Sequence, residues 1–181
     1  MDFTTLDAVK LWLGITSTAD DDLLTSLITA VSAAMVLYLA RDISSQNYTE
    51  TRDGSGGTRM AFQNYPVTAI SQVQVDGTNI PPSPAPLQPG YVFDDRFITL
   101  YGYCFTAGRS NVQLGYTAGY ADIPAEIAQA ATELAALRYA EKDRIGVNAQ
   151  SVGSETVHYL VRTLPMSVQA VLDAYRKVIP L

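Results

Sequence analysis

One cysteine, one histidine and one tryptophan occur among the 181 residues. A lone Cys104 excludes an intramolecular disulfide and fits synthesis in a reducing compartment. Its surroundings, Leu100-Tyr-Gly-Tyr-Cys-Phe105, read as a buried strand in which it serves as a small apolar core residue. A lone His158 excludes histidine-cluster zinc sites and two-histidine helix motifs, and it leaves a serine-histidine-acid triad without local support. Its short alternating segment points to surface or interface packing. Basic residues are also scarce: 12 Lys and Arg against 18 Asp and Glu give a formal charge of −6. That balance argues against a broad basic face gripping nucleic-acid phosphates. The start, Met1-Asp-Phe-Thr-Thr, lacks the basic region of a secretory signal, so export by that route is not expected. Nor is there an uninterrupted apolar run. Leu23 to Leu39 is broken by Thr25, Ser26, Thr29 and Ser32 and preceded by three aspartates, and reads as a core helix rather than a membrane span.

The elements that are present fall into three stretches. A first helix is expected from about Thr5 to Leu13, with Thr4 and Asp7 spaced as a capping pair and Gly14 at the left-handed stop. A second begins near Ser17 or Thr18, with Leu23, Leu27, Val31, Met35 and Tyr38 at helical spacing and Leu24, Ile28 and Leu39 widening the stripe. Beyond Asn47 the period falls to two. The expected strands are Tyr48 to Arg52, Thr58 to Gln63, Ile70 to Val75, Tyr91 to Phe93, Phe97 to Phe105 and Val112 to Tyr116. Asp53-Gly-Ser-Gly-Gly57, Asp76-Gly77 and Asp94-Asp95 punctuate them as hairpin tips, and the proline-bearing stretches Asn64 to Val67 and Pro81 to Gly90 are loops because proline supplies no ladder N–H. A third helix is expected from Ile123 to about Arg144, with Asp122 as its side-chain cap and Pro124 in its first turn. Gly146 to Thr156 lacks helical spacing and apolar anchors and is expected to be mobile when alone; Val157 to Arg162 alternates like a strand, and Pro165 opens a last helix with Val168, Val171, Leu172 and Tyr175 on one face. The expected fold class is α+β: a helical core of N-terminal and C-terminal helices, residues 1–46 and 122–181, with an antiparallel β-rich subdomain, residues 47–121, inserted between them.

Candidate chemistry is thin. Asp20-Asp21-Asp22 has the composition of a divalent-metal site, but successive helical residues point about 100° apart, and acids in a first turn already favour the helix dipole. The capping role is therefore preferred. The glycine-rich loop from Asp53 is followed by no Gly-Lys-Ser/Thr and is flanked by strands, so it is not a phosphate cradle. A flexible tip of this kind suits a partner contact, which makes Gly54, Ser55, Gly56 and Gly57 interface candidates. Ala128, Ala130, Ala131, Ala135 and Ala136 leave little bulk on the third helix and admit a close neighbour, either another helix of the chain or a second subunit. No catalytic, cofactor or metal residue is assigned.

Three motifs in order carry a resemblance. Leu6-Asp-Ala-Val9-Lys10-Leu-Trp-Leu13-Gly14-Ile15 precedes the acidic start Asp20-Asp21-Asp22-Leu23-Leu24; Tyr116-Thr-Ala-Gly-Tyr120 leads through Ile123-Pro124 into an alanine and leucine helix bearing Arg138-Tyr139; and Leu164-Pro165 leads to Val171-Leu-Asp-Ala-Tyr-Arg-Lys177. This order resembles the head-to-tail connector (adaptor, head-completion) proteins of tailed phages, over the first 43 residues and from about residue 110 onward. The large β insertion departs from that pattern. The resemblance implies a structural virion protein without cofactor: a homo-oligomeric ring, expected to be of twelve copies, between the portal protein and the stopper or tail protein. It would be made in the host cytoplasm, with DNA passing through unspecifically and no membrane involved. An acidic channel wall would keep DNA from sticking. The partner contacts implied include Gly146, Val147, Val152, Val157, His158, Tyr159 and Arg162. Two other readings stand beside it: a tail-side completion or stopper module, and a metal-dependent phosphoryl-transfer enzyme built on Asp20 to Asp22 or Asp94-Asp95.

Overall fold

A computed structural model of the chain describes residues 1–142, 149–152, 155–158 and 164–177. The elements run α1 (Leu6–Leu13), α2 (Asp21–Leu39), β1 (Gln46–Gly54), β2 (Arg59–Ala61), β3 (Val67–Val75), β4 (Thr78–Asn79), β5 (Gly90–Phe93), β6 (Phe97–Tyr101), β7 (Gly108–Ala118), α3 (Ala125–Ala140), β8 (Ala149–Val152), β9 (Glu155–His158) and α4 (Met166–Tyr175). The fold is α+β. Two compact units divide the chain: the helical unit takes residues 1–41 and 123–181, the β unit residues 42–122.

In the helical unit α1, α2 and α4 all pack on α3. The core side of α2 is Leu24, Ile28, Val31, Met35 and Leu39, while Leu23 is exposed and Leu27 and Tyr38 are only half covered, so the buried stripe is rotated from the expected one. α2 begins at Asp21, later than Ser17 or Thr18, because the Ser17 hydroxyl accepts from the Ala19 N–H in a turn ahead of the helix. By length and composition α2 could cross a membrane, and a third of its apolar window is buried inside the protein. The cap of α1 is Thr5, whose side chain accepts from the Ala8 N–H; Thr4 is buried instead. The hydroxyl of Thr132 donates to the Ala128 carbonyl at 2.9 Å, so its lone pairs face Thr4, whose hydroxyl donates to it at 2.6 Å. A residue expected to cap a helix thus pins the N-terminal segment to α3. Gly14 ends α1 at φ 68°, as its position after the last apolar residue requires.

The helix α3 starts with Pro124 at its N-cap and has no side-chain cap bond, which corrects the expected role of Asp122. The Pro124 carbonyl itself accepts from the Ile127 and Ala128 N–H groups. Ala130, Ala131, Ala135 and Ala136 are buried under the chain's own helices, so they do not form an open face for a second subunit. The helix ends at Ala140; Arg144 lies outside the described residues. Within the stretch expected to lack regular structure, β8 pairs antiparallel with β9 from Ala149 opposite His158 to Val152 opposite Glu155. At α4, Val168 and Leu172 are buried, on the expected face.

The β unit holds two antiparallel sheets, β1-β7-β3-β4 and β2-β6-β5, over one apolar core that includes Phe62, Val73, Ile98, Leu100, Phe105, Val112, Leu114 and Tyr116. Strand β7 is central in the larger sheet, with β1 and β3 on either side. The first and last strands of the unit are therefore neighbours, Gln46 opposite Ala118. The clasp continues below them: Ser45 N–H donates to Tyr120 O at 2.9 Å and Tyr120 N–H to Ile43 O at 2.8 Å. Gly119 makes this crossing possible. Its φ is +111°, and a Cβ there would stand 2.4 Å from the Ser44 carbonyl oxygen.

Asp76 and Gly77 both take positive φ, 50° and 78°, in the two-residue turn joining β3 to β4. Asp94 turns β5 into β6 by accepting from the Arg96 and Phe97 N–H groups at 2.8 and 2.6 Å, and these bonds hold its carboxyl below the usual carboxylate range. The expected tip Asp53 to Gly57 joins no hairpin: β1 pairs with β7 and β2 with β6, so this loop carries the chain from one sheet to the other. The strand read through Phe105 stops at Tyr101, where Gly102 turns with φ 69°; Cys104 is consequently exposed and Phe105 takes the buried place.

One buried acid is built into this unit. Glu50, 8% exposed, accepts the phenolic proton of Tyr116, and its other oxygen lies 3.8 Å from Arg52. Burial and then the Glu50 bond push the Tyr116 hydroxyl well above the ordinary tyrosine range. A raised native value means the folded chain keeps a proton that the unfolded chain releases above pH about 10. The stabilisation is whole below that pH and is lost as pH rises through the native value. Tyr116→Phe is expected to flatten part of the alkaline decline in unfolding free energy while lowering stability at neutral pH by about 1–3 kcal/mol, the cost of a buried carboxylate left short of a donor; urea melts at both pH values measure it. Gly119→Ala is expected to cost about 1–3 kcal/mol through forced backbone strain and to accelerate amide exchange at Ser45 and Tyr120.

Candidate partner interface

The interface candidates fall on two separate places. Gly54 closes β1, and Ser55, Gly56 and Gly57 follow it on the surface. The loop is tied down on several sides. Gly56 N–H donates to Phe105 O at 2.6 Å, Phe105 N–H to Gly57 O at 2.8 Å, and Ser110 N–H to Asp53 Oδ1 at 2.6 Å. A Cβ on Gly54 would overlap the Thr106 carbonyl at 1.9 Å, so glycine serves close approach here. These bonds replace the free tip expected from composition with a fixed rim.

At the centre of that rim stands Asn111, which the sequence reading passed over. Its Oδ1 accepts from Gly54 N–H at 2.9 Å; its Nδ2 donates to Asp76 Oδ1 at 2.9 Å and to Thr106 O at 2.8 Å. One amide thus joins three turns, and the surface they present includes the exposed Asp53, Asp76, Arg109 and Ser110. Ser110, at φ 49° within β7, marks an irregularity in the pairing of β7 with β1, where Asn111 holds the neighbouring loops in place.

The second place is the C-terminal hairpin. Backbone pairing sets Val152 opposite Glu155, Val157 opposite Gln150 and His158 opposite Ala149. Gly146, Val147, Tyr159 and Arg162 lie outside the described residues. The glycine loop belongs to the β unit and the hairpin to the helical unit.

The acidic run is spent inside the helical unit. Asp20 accepts from the Tyr139 hydroxyl at 2.6 Å and stands 3.7 Å from Lys142, while Asp21 pairs with Lys10 at 2.7 Å. Asp20 makes no side-chain cap bond, so its expected capping role is corrected to that of a tie between α2 and α3. Among the described residues no three His, Cys, Asp or Glu side chains gather where they would hold a metal ion.

The model of one family, head completion protein, matches residues 2–178. The chain belongs to the head completion protein family. Membership assigns it a structural role in a phage-like particle and not an enzymatic one. Solved structures share its fold. A chain in the neck of a native gene transfer agent particle computed with C12 symmetry is 20% identical, at TM-score 0.56, over 100% of this chain and 96% of that one. A chain in the neck of the empty particle computed with C6 symmetry is 22% identical, at TM-score 0.53, over 97% and 90%. A third, in the virion of the native particle, is 20% identical at TM-score 0.55 over 91% and 82%. No curated protein sequence matches the chain.

The rim of this head completion protein has a simple test. Asn111→Ala removes the shared anchor and is expected to cost about 1–3 kcal/mol and to open the 53–57 loop to limited proteolysis before the helices unfold; equal cleavage in the parent and the variant would mean the amide is not what holds the rim.

Proposed function

We propose that this head completion protein forms a ring, of twelve copies, that sits between the portal of a phage-like head and the stopper or tail and seals and extends the DNA channel. The observation that carries the proposal is the family match over nearly the whole chain, residues 2–178. The fold it shares with neck chains from particles of C12 and C6 symmetry supports a ring. Its formal charge of −6 suits a wall past which DNA slides without binding. The protein is then a virion component at the head-to-tail junction, made in the host cytoplasm. The glycine rim, residues 54–57, and the segment 146–162 are its partner contacts, the second directed at the portal or a neighbouring copy.

Two experiments test this. Purified chain mixed with DNA-filled, tailless heads from its own source is expected to add ring density at the portal vertex in electron cryomicroscopy; a bare vertex, with heads that still accept tails, would move the protein to the tail side. Deleting residues 146–162 is expected to abolish attachment to heads while leaving the helical content and the unfolding midpoint of the rest within a small margin. Normal attachment of the soluble deletion variant would remove that segment from the contact.

A further inference from the structure

A helix of the helical unit presents to solvent what a folded monomer ordinarily hides. On α1, Val9 is fully buried, yet Leu11 is 85% and Trp12 56% exposed on the side facing away from the core. Asp7 precedes Leu11 by one turn and is exposed on the same side. The unit also carries a complementary hollow. A groove of about 520 Å³ lies between α2, α3 and α4, lined by Leu27, Ala34 and Tyr38 of α2, Leu134 and Arg138 of α3, and Leu172 of α4. Arg138 is the charged side chain among the residues that line it.

Knob and groove lie on opposite flanks of α2. The segment around α1 grips one flank: Phe3 N–H donates to the Ser32 hydroxyl at 3.0 Å, the Thr29 hydroxyl donates to Asp2 at 3.3 Å, and Lys10 meets Asp21 at 2.7 Å. At about 100° per residue, Asp21, Thr29 and Ser32 fall to one side of the buried row Leu24, Ile28 and Met35, and Leu27, Ala34 and Tyr38 fall to the other. The same division holds on α3. Thr132 and Tyr139 face the side of α1 and Asp20, while Glu126 and Glu133 accept from Tyr175 and Ser167 on the side of α4. A knob and a groove on opposite sides of one unit cannot meet within a chain. They can meet between identical chains placed side by side, and a heterologous contact of that kind closes into a ring when the rotation per step allows.

We propose that Leu11 and Trp12 on α1 of one copy dock into the groove between α2, α3 and α4 of the next. The partner is a second copy of this chain, and the inference rests on the ring reading above. An apolar knob on one flank and an apolar groove on the other supply the complementarity. Docking covers two large side chains that water otherwise surrounds.

Trp12 is the single tryptophan, so it reports its own docking. As the concentration of the full chain rises from micromolar to submillimolar, its emission is expected to shift to the blue in step with a rise in sedimentation coefficient. Leu11→Glu and Ala34→Glu each introduce a carboxylate that the contact cannot bury, at exposed helical positions that accept glutamate, so the far-ultraviolet circular dichroism should be unchanged. Each variant alone is expected to lose both the shift and the association. Mixed, they are expected to form a dimer and no larger species, because the Ala34→Glu chain keeps its knob and the Leu11→Glu chain its groove. A mixture that stays monomeric, or a parent whose Trp12 emission stays that of solvated indole at every concentration, overturns the proposal. So does a shift that appears only after residues 178–181 are removed, since the groove's occupant would then be this chain's own end. If both variants still build the ring on heads, this contact falls while the ring reading stands.

Discussion

Everything in this fold depends on bringing the two ends of the inserted unit together. A chain that leaves a helical bundle at residue 41 and returns at residue 123 can do so without stretching only if its exit and its return lie side by side. The hydrogen bonds between residues 43–45 and Tyr120 and the pairing of Gln46 with Ala118 accomplish this. They also place β1 and β3 on either side of β7, so the last strand of the insertion becomes the centre of its larger sheet. Central position explains why Val112, Leu114 and Tyr116 are among the most buried side chains. It also explains how Tyr116 can hold the proton between itself and Glu50 in a place that water does not reach. Gly119 is where a side chain would end the arrangement.

Much of this was legible from periodicity. The order of helices and strands and the turns at Asp76-Gly77 and Asp94-Asp95 follow from local rules, because a two-residue turn with positive φ, or an aspartate accepting from the amides two and three residues ahead, needs only its immediate neighbours. Two misreadings of helix caps share one cause, which is that the deciding partner is distant in sequence. Thr4 has the spacing of a cap but finds Thr132; Asp20 has the position of a cap but finds Tyr139. The alanines of α3 allow close approach, and whether the neighbour is internal or foreign depends on three helices elsewhere in the chain. Cys104 was misplaced because Gly102 ends its strand early, which an apolar aromatic run hides.

Of the candidate interface, composition identified the glycine loop but mistook its mechanics. Glycine there permits backbone approach to Thr106, not freedom, and the bonds that fix it come from Phe105, Ser110 and Asn111, about fifty residues further on. The knob and groove were invisible for a related reason. Leu11 and Trp12 look like ordinary members of an amphipathic helix until the buried side of α1 is known, and a groove is a property of three helices together.

The order of synthesis sets a problem that the insertion makes acute. α2 is apolar enough to pass for a membrane span, and the face it must hide is completed by α3, which the ribosome does not finish until residue 140. Between them the whole β unit emerges and can fold on its own core. The first two helices must wait through that interval with their hydrophobic side uncovered. Loop closure over so long a separation is slow compared with local pairing.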